Sequence, residues 1–273
     1  MKIEFSPRLC PEPHGKTRSQ TTWRLTLLSL LAMGLAGCDQ GVPTLEYEAL
    51  RALPHDSEAY TQGLLYHEGR FFESTGRNGS SSLREVDPET GEILRITSLS
   101  EDYFGEGLAR VGSELIQLTW HAGLAFVYDL ETLALLRTFD YEGEGWGLCY
   151  DGEFLFMSDG TNRLTQRDPE TFEVVGEVRV TKGGYSVSSL NELECVGDVI
   201  FANVFQTNRI VRIDKATGHI TGEIDAFQLS LGAERGPDPE AVLNGIAHDP
   251  DNGTLFVTGK LWDRIYELRI GGD

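Results

Sequence analysis

The sequence predicts an all-β fold, a five-bladed β-propeller whose ring is closed by an N-terminal strand. Three observations predict it. From about residue 45 onward, short apolar stretches alternate with Gly, Asn, Asp and Asp-Pro turns, and no long run has helical period. One four-strand unit recurs along the chain, mostly at spacings of about 40–45 residues, as propeller blades do. The last copy stops one strand short, and the segment Tyr47 to Leu53 upstream can pair with it and hide an open edge.

Each copy opens on a short motif ending in an aliphatic residue and runs through a Gly turn into a very apolar strand, and the first four end near an Asp-x-x-Thr turn. The first copy runs from Gln62-Gly63-Leu64 through Phe71-Phe72 to Asp87-Pro88-Glu89-Thr90-Gly91. The second runs from Glu106-Gly107-Leu108 through Leu115-Ile116 to Asp129-Leu130-Glu131-Thr132, and the third from Trp146-Gly147-Leu148 through Phe154-Leu155-Phe156 to Asp168-Pro169-Glu170-Thr171. The fourth runs from Asn191-Glu192-Leu193 through Val199-Ile200-Phe201 to Asp214-Lys215-Ala216-Thr217-Gly218. The fifth runs from Asn244-Gly245-Ile246 through Leu255-Phe256-Val257 to Tyr266-Glu267-Leu268. Between the fourth and fifth, Leu231 to Glu240 is rich in Gly, Pro and charge and reads as an inserted loop.

The N-terminus is of a different kind. Lys16, Arg18 and Arg24 precede an apolar run from Leu25 to Ala36, which suits a signal-peptide core better than a spanning helix. The run ends in Leu35-Ala36-Gly37-Cys38, which looks like a bacterial lipobox. The expected organisation is therefore a lipoprotein signal peptide over 1–37, a linker over 38–44 after a lipidated Cys38, and the propeller over 45–273. This places the protein outside the cytoplasm, periplasmic or otherwise extracytoplasmic, held to a bacterial membrane by its lipid.

The formal net charge is −20, and removal of residues 1–37 leaves 18 basic against 41 acidic residues. So acidic a surface repels phosphate backbones and speaks against nucleic acid as a partner. Of the four cysteines, Cys10 lies in the leader and Cys38 is the anchor. An oxidising compartment permits a disulfide between Cys149 and Cys195, but their place in inner strands predicts two separate, small buried side chains.

Antiparallel strands within each blade put the start of strand one and the loop between strands two and three on one face. The residues expected just ahead of strand one form a ring at the central channel: Gln62, Glu106, Trp146, Asn191 and Asn244. The loops on that face carry Trp120 and His121, Asn162, Phe205 and Gln206, and Lys260 with Trp262. One carboxylate, several amides, aromatics and a lysine converge there, the composition of a pocket for a small molecule or a chain end. No Gly-x-Ser-x-Gly elbow or His-Glu-x-x-His helix occurs, and the histidines have no paired-ligand spacing. The stretch Asp249-Pro250-Asp251-Asn252-Gly253 lacks the distal Glu of a calcium loop and reads as a β-turn.

Several stretches make the chain similar to the plant and bacterial glutaminyl-peptide cyclotransferase family. They include Tyr60-Thr61-Gln62-Gly63-Leu64, Phe104-Gly105-Glu106-Gly107, Gln117-Leu118-Thr119-Trp120 and Glu144-Gly145-Trp146-Gly147-Leu148. Others are Leu190-Asn191-Glu192-Leu193-Glu194, Ala202-Asn203-Val204-Phe205-Gln206-Thr207, Leu243-Asn244-Gly245-Ile246-Ala247 and Val257-Thr258-Gly259-Lys260-Leu261-Trp262. The resemblance implies a monomeric five-bladed propeller that needs no metal or other cofactor. It implies peptide or protein substrates whose N-terminal glutamine is cyclised to pyroglutamate with release of ammonia. It places the catalytic carboxylate on Glu106, with Gln62, Asn191 and Lys260 as polar partners. It places the aromatic walls on Trp120, Trp146 and Phe205, beside which Asn203, Asn244 and Trp262 are further expected substrate contacts. Tyr60, Phe205 and His121 depart from the residues usual at their positions, which are Phe, Trp, and Lys or Asn respectively.

Two rival readings stand beside this one. A metal-dependent, lactonase-like propeller would use the channel carboxylate and amides as calcium ligands, and a chelator would abolish its activity. A non-catalytic peptide-binding lipoprotein would need only the aromatics and the acidic face, and would release no ammonia from a Gln-initiated dipeptide.

Overall fold

The computed structural model describes residues 41–271, so the expected leader and the lipidation site at Cys38 lie outside the described residues. Strand β1 (Tyr47–Pro54) is first in the chain and last in the ring. Blade one holds β2 (Thr61–His67), β3 (Arg70–Thr75), β4 (Ser82–Val86) and β5 (Ile93–Ser98). Blade two holds β6 (Gly105–Val111), β7 (Glu114–Thr119), β8 (Leu124–Asp129) and β9 (Leu135–Asp140). Blade three holds β10 (Leu148–Tyr150), β11 (Leu155–Ser158), β12 (Arg163–Arg167) and β13 (Val174–Arg179). A short ribbon follows, β14 (Thr181–Lys182) and β15 (Tyr185–Ser186), turning at Gly183 and Gly184 with φ of +56° and +84°. Blade four holds β16 (Leu190–Val196), β17 (Val199–Val204), β18 (Arg209–Asp214) and β19 (Ile220–Asp225). Blade five holds β20 (Leu243–Asp249), β21 (Thr254–Gly259) and β22 (Arg264–Ile270), and β1 supplies its fourth strand.

The closure is antiparallel, from Tyr47 opposite Ile270 to Pro54 opposite Arg264. It covers the edge that the fifth blade would otherwise present. Five apolar layers fill the gaps between neighbouring blades, such as Phe72, Leu83, Leu115 and Tyr128 between the first two and Leu64, Phe71, Ala247 and Phe256 between the last and first. The Asp-x-x-Thr turns repeat in detail. The Oδ1 atoms of Asp87, Asp129, Asp168 and Asp214 accept the backbone N–H and hydroxyl of Thr90, Thr132, Thr171 and Thr217, the self-capping that makes aspartate a turn residue.

Two sequence expectations change. The insertion is not loop throughout, because its first two residues, Leu231 and Gly232, close helix α1 (Phe227–Gly232), which buries Leu229. Cys149 and Cys195 are bonded to each other, with Cα atoms 5.5 Å apart. Burial in inner strands does not separate them, because β10 and β16 are innermost strands of adjacent blades and lie side by side.

Candidate active site

In four blades the innermost strand loses register with its neighbour at the ring position. The shifts fall between Thr61 and Gly63, Gly105 and Leu108, Leu190 and Leu193, and Leu243 and Ile246. In blade three the strand starts only at Leu148, after Trp146. A bulge inserts an extra residue and re-aims its side chain. Gln62, Glu106, Asn191 and Asn244 therefore lie inside their strands rather than ahead of them. Glycine after Glu106 is a packing demand, since a Cβ on Gly107 would fall on the backbone of Gly147 and Leu148.

These bulges open onto a cavity of about 250 Å³. Gln62, Glu106, Trp146 and Asn191 from the ring line it, with Trp120, Phe205 and Lys260 from the loops on the same face. Tyr60, which the sequence singled out only as a departure from the usual residue, completes the lining with Phe104 and Glu240, which it did not assign to the site. Glu240 lies on the insertion, where its Oε2 accepts the Tyr60 hydroxyl at 2.9 Å.

A chain of amides fixes how Glu106 is presented. Asn244 Nδ2 donates to the Thr61 carbonyl at 3.0 Å, and a carbonyl oxygen can only accept, so the Asn244 amide has one orientation. Its second N–H meets Gln62 Oε1 at 3.1 Å, and Gln62 Nε2 then donates to Glu106 Oε1 at 2.9 Å. Glu106 Oε1 is thus a standing acceptor, and a proton held by Glu106 sits on Oε2. Burial drives the Glu106 proton affinity well above the ordinary carboxylate range, Lys260 opposes this, and the negative charge of Glu144 adds to it. The Lys260 ammonium sits over the Tyr60 and Phe205 rings, 4.7 and 4.9 Å from their centres. Burial lowers its pKa, against the pull of Glu106 and Glu240. Asn191 Oδ1 is buried without a hydrogen-bond partner among the described residues, an acceptor left for a ligand.

Three of the expected substrate contacts lie outside the cavity lining. Leu261 turns the chain at φ +60° directly after Lys260, so Trp262 drops back against Gly259, fully buried in the core between blades four and five. Its carbonyl accepts from His55 Nδ1 at 2.7 Å, and His55 Nε2 lies 3.0 Å from the buried Glu73. Burial works against a charged His55, but Glu73, with the Trp262 carbonyl and Asp56, outweighs it and raises the His55 pKa. This ties the end of the closing strand to the loop that carries Lys260. Asn203 Oδ1 accepts the Gly245 N–H at 2.9 Å and holds the blade-five bulge. Asn244 has both N–H groups engaged by Thr61 and Gln62, so it orients Gln62 without lining the cavity, while its Oδ1 has no hydrogen-bond partner among the described residues. His121 is exposed and Asn162 half-buried; His121 stacks on the Trp120 ring, 3.8 Å between centres. Among the described residues, no group of three or more His, Cys, Asp or Glu is arranged to hold a metal ion.

A family model described as glutamine cyclotransferase matches residues 24–270. A glutaminyl-peptide cyclotransferase from Arabidopsis thaliana is 43% identical over 231 residues, covering 82% of this chain and 71% of the relative. The crystal structure of Myxococcus xanthus glutaminyl cyclase superposes with a TM-score of 0.79 at 43% identity, covering 84% of this chain and 98% of that one.

Proposed function

The chain belongs to the glutamine cyclotransferase family and carries glutaminyl-peptide cyclotransferase activity, and on that premise we propose that the Glu106 cavity closes an N-terminal glutamine into pyroglutamate and expels ammonia. The observation that carries this reading is a buried carboxyl group with one oxygen tied to Gln62 and the other left for the cavity.

The reaction joins the substrate's α-nitrogen to its own γ-carboxamide carbon and breaks that carbon's bond to the amide nitrogen. One proton must leave the α-nitrogen and one must reach the departing nitrogen. Glu106 Oε2 takes the first and returns it as the second, so a single carboxyl serves in turn as base and acid. Its raised proton affinity brings it nearer to an α-amine, whose ordinary pKa is about 7.7–8.0. Lys260 offers positive charge to the γ-carbonyl oxygen as it becomes an oxyanion. Asn191 Oδ1 accepts from the substrate's nitrogen. Trp120, Trp146, Phe104 and Phe205 enclose the three-carbon stem, and attack within one bound residue removes the entropy cost of bringing two reactants together.

Ammonia release from a Gln-initiated dipeptide, beside the same dipeptide with its α-amine acetylated, tests the reading. The free amine should release ammonia and the blocked one none; equal release from both would mean simple amide hydrolysis and overturn it. The family match favours neither the lactonase-like nor the non-catalytic alternative.

We also propose that the enzyme is exported and anchored by lipid at Cys38. Leu35 to Cys38 motivates this, and the Cys149–Cys195 bond supports it, since such bonds persist in oxidising compartments. Cys38→Ser should accumulate as unprocessed precursor; normal processing of that variant would remove the anchor.

A further inference from the structure

Glu144 lies on the connection between blades two and three, two residues ahead of Trp146 and outside the ring. Its Oε2 accepts both indole N–H groups of the cavity, from Trp120 at 2.8 Å and from Trp146 at 2.9 Å. The two indoles come from different blades, since Trp120 follows β7 and Trp146 precedes β10. Each also meets an aromatic edge: Phe104 against Trp120 and Phe205 against Trp146, both with centres 5.5 Å apart. His121 stacks on Trp120 and places Nδ1 3.7 Å from Glu144 Oε1.

An indole has one polar atom, and that atom only donates. Two such donors converging on one charged oxygen fix the tilt of both rings, and a charged acceptor holds them more strongly than a neutral one. With both N–H groups engaged, the two tryptophans offer the cavity only apolar faces. We propose that Glu144 is a positioning residue that sets the spacing of the two indole walls, and with it the affinity for the substrate's glutamine, without touching a reacting atom. The indole bonds draw the Glu144 pKa down, and its charge lies near Glu106, whose proton affinity it helps to raise. Glu106 and His121 are the titratable neighbours that bear on it.

The proposal rests on the cyclotransferase reading, and its test separates the two. With a Gln-initiated dipeptide, Glu144→Gln should raise KM about ten-fold, the scale of one lost charge-assisted hydrogen bond, while kcat changes much less. The acid limb of kcat/KM should move to lower pH, because removing a negative neighbour lets Glu106 ionise more readily; a merely structural role would leave that limb in place. In a Trp120→Phe background, which lacks one of the two donors, the same change should cost less. Tryptophan fluorescence of the wild-type protein should show an acid titration step below the ordinary carboxylate range, and Glu144→Gln should lack it. Unchanged KM and unchanged fluorescence titration in a folded Glu144→Gln protein would overturn the proposal. If wild-type enzyme released no ammonia, the cyclotransferase reading would fail, and the fluorescence titration would still decide whether Glu144 holds the two rings.

Discussion

Glu106→Gln is expected to lower turnover by about 10²–10⁴-fold, the usual contribution of a general acid–base group, while the protein folds and binds substrate nearly as before. Glutamine has the shape of a protonated glutamate, and its Oε1 can still accept the Gln62 N–H that Glu106 Oε1 accepts now. Its amide nitrogen then faces the cavity where Oε2 stood, and it cannot take up or return a proton. Substrate affinity should change little, because the aromatic walls, Lys260 and Asn191 are untouched. The pH profile gives a second, independent reading. Burial raises the Glu106 pKa, so the acid limb of wild-type kcat/KM should lie above the ordinary carboxylate range, where Glu106 and the substrate amine both become protonated and no base remains. In Glu106→Gln the residual rate should keep only the part of that limb that the substrate amine sets. The plainer alternative gives Glu106 the task of balancing Lys260. Glu106→Gln and Lys260→Met would then both lower the melting temperature, and activity would track the folded fraction. A well-folded Glu106→Gln protein releasing ammonia at near wild-type rate would remove Glu106 from the chemistry.

The ring of the site was legible because a propeller converts sequence position into spatial position. Gln62, Glu106, Trp146, Asn191 and Asn244 occupy one offset in five repeats and so share one level of the channel. Tyr60, Phe104 and Glu144 were not assigned to the site, although each stands two residues ahead of a ring residue. Extended chain returns to the same face every second residue, so the offset by minus two in blades one to three held the signal for the upper wall. Glu240 carried no such signal, because it lies on the insertion, where no repeat fixes a level. Trp262 was misplaced for the opposite reason. It stands two residues after Lys260, but the left-handed turn at Leu261 breaks the alternation and sends the ring into the core. Asn203 and Asn244 show the limit of composition as evidence. An amide in a channel can serve the substrate or the backbone, and only the Thr61 and Gly245 contacts decide which.

Replacing Cys149 and Cys195 together by alanine should lower the free energy of unfolding by about 2–4 kcal/mol, the range expected when a cross-link of this span no longer restrains the unfolded chain. The two cysteines are 46 residues apart in sequence, so the bond closes a loop of about one whole repeat. It also joins the ring at its thinnest inner strand. β10 has three residues and pairs with β11 through three positions, whereas β16 has seven. The strand with the shortest ladder is thus fixed covalently to a neighbour with a long one. Close backbone packing adds to the demand there, since a Cβ on Gly147, the residue just before β10, would fall on the Asn191 carbonyl of β16. Slippage between blades three and four would displace Trp146 relative to Asn191, so loss of the bond should also reach the cavity. The check is the denaturant midpoint of the wild-type protein with and without reductant, beside that of the double-alanine variant. Reduced wild type and the variant should shift down together, with denaturant slopes that match each other and are steeper than that of the oxidised protein, whose cross-link keeps the unfolded chain more compact. Equal midpoints in all three samples would show that packing alone holds the two blades in register.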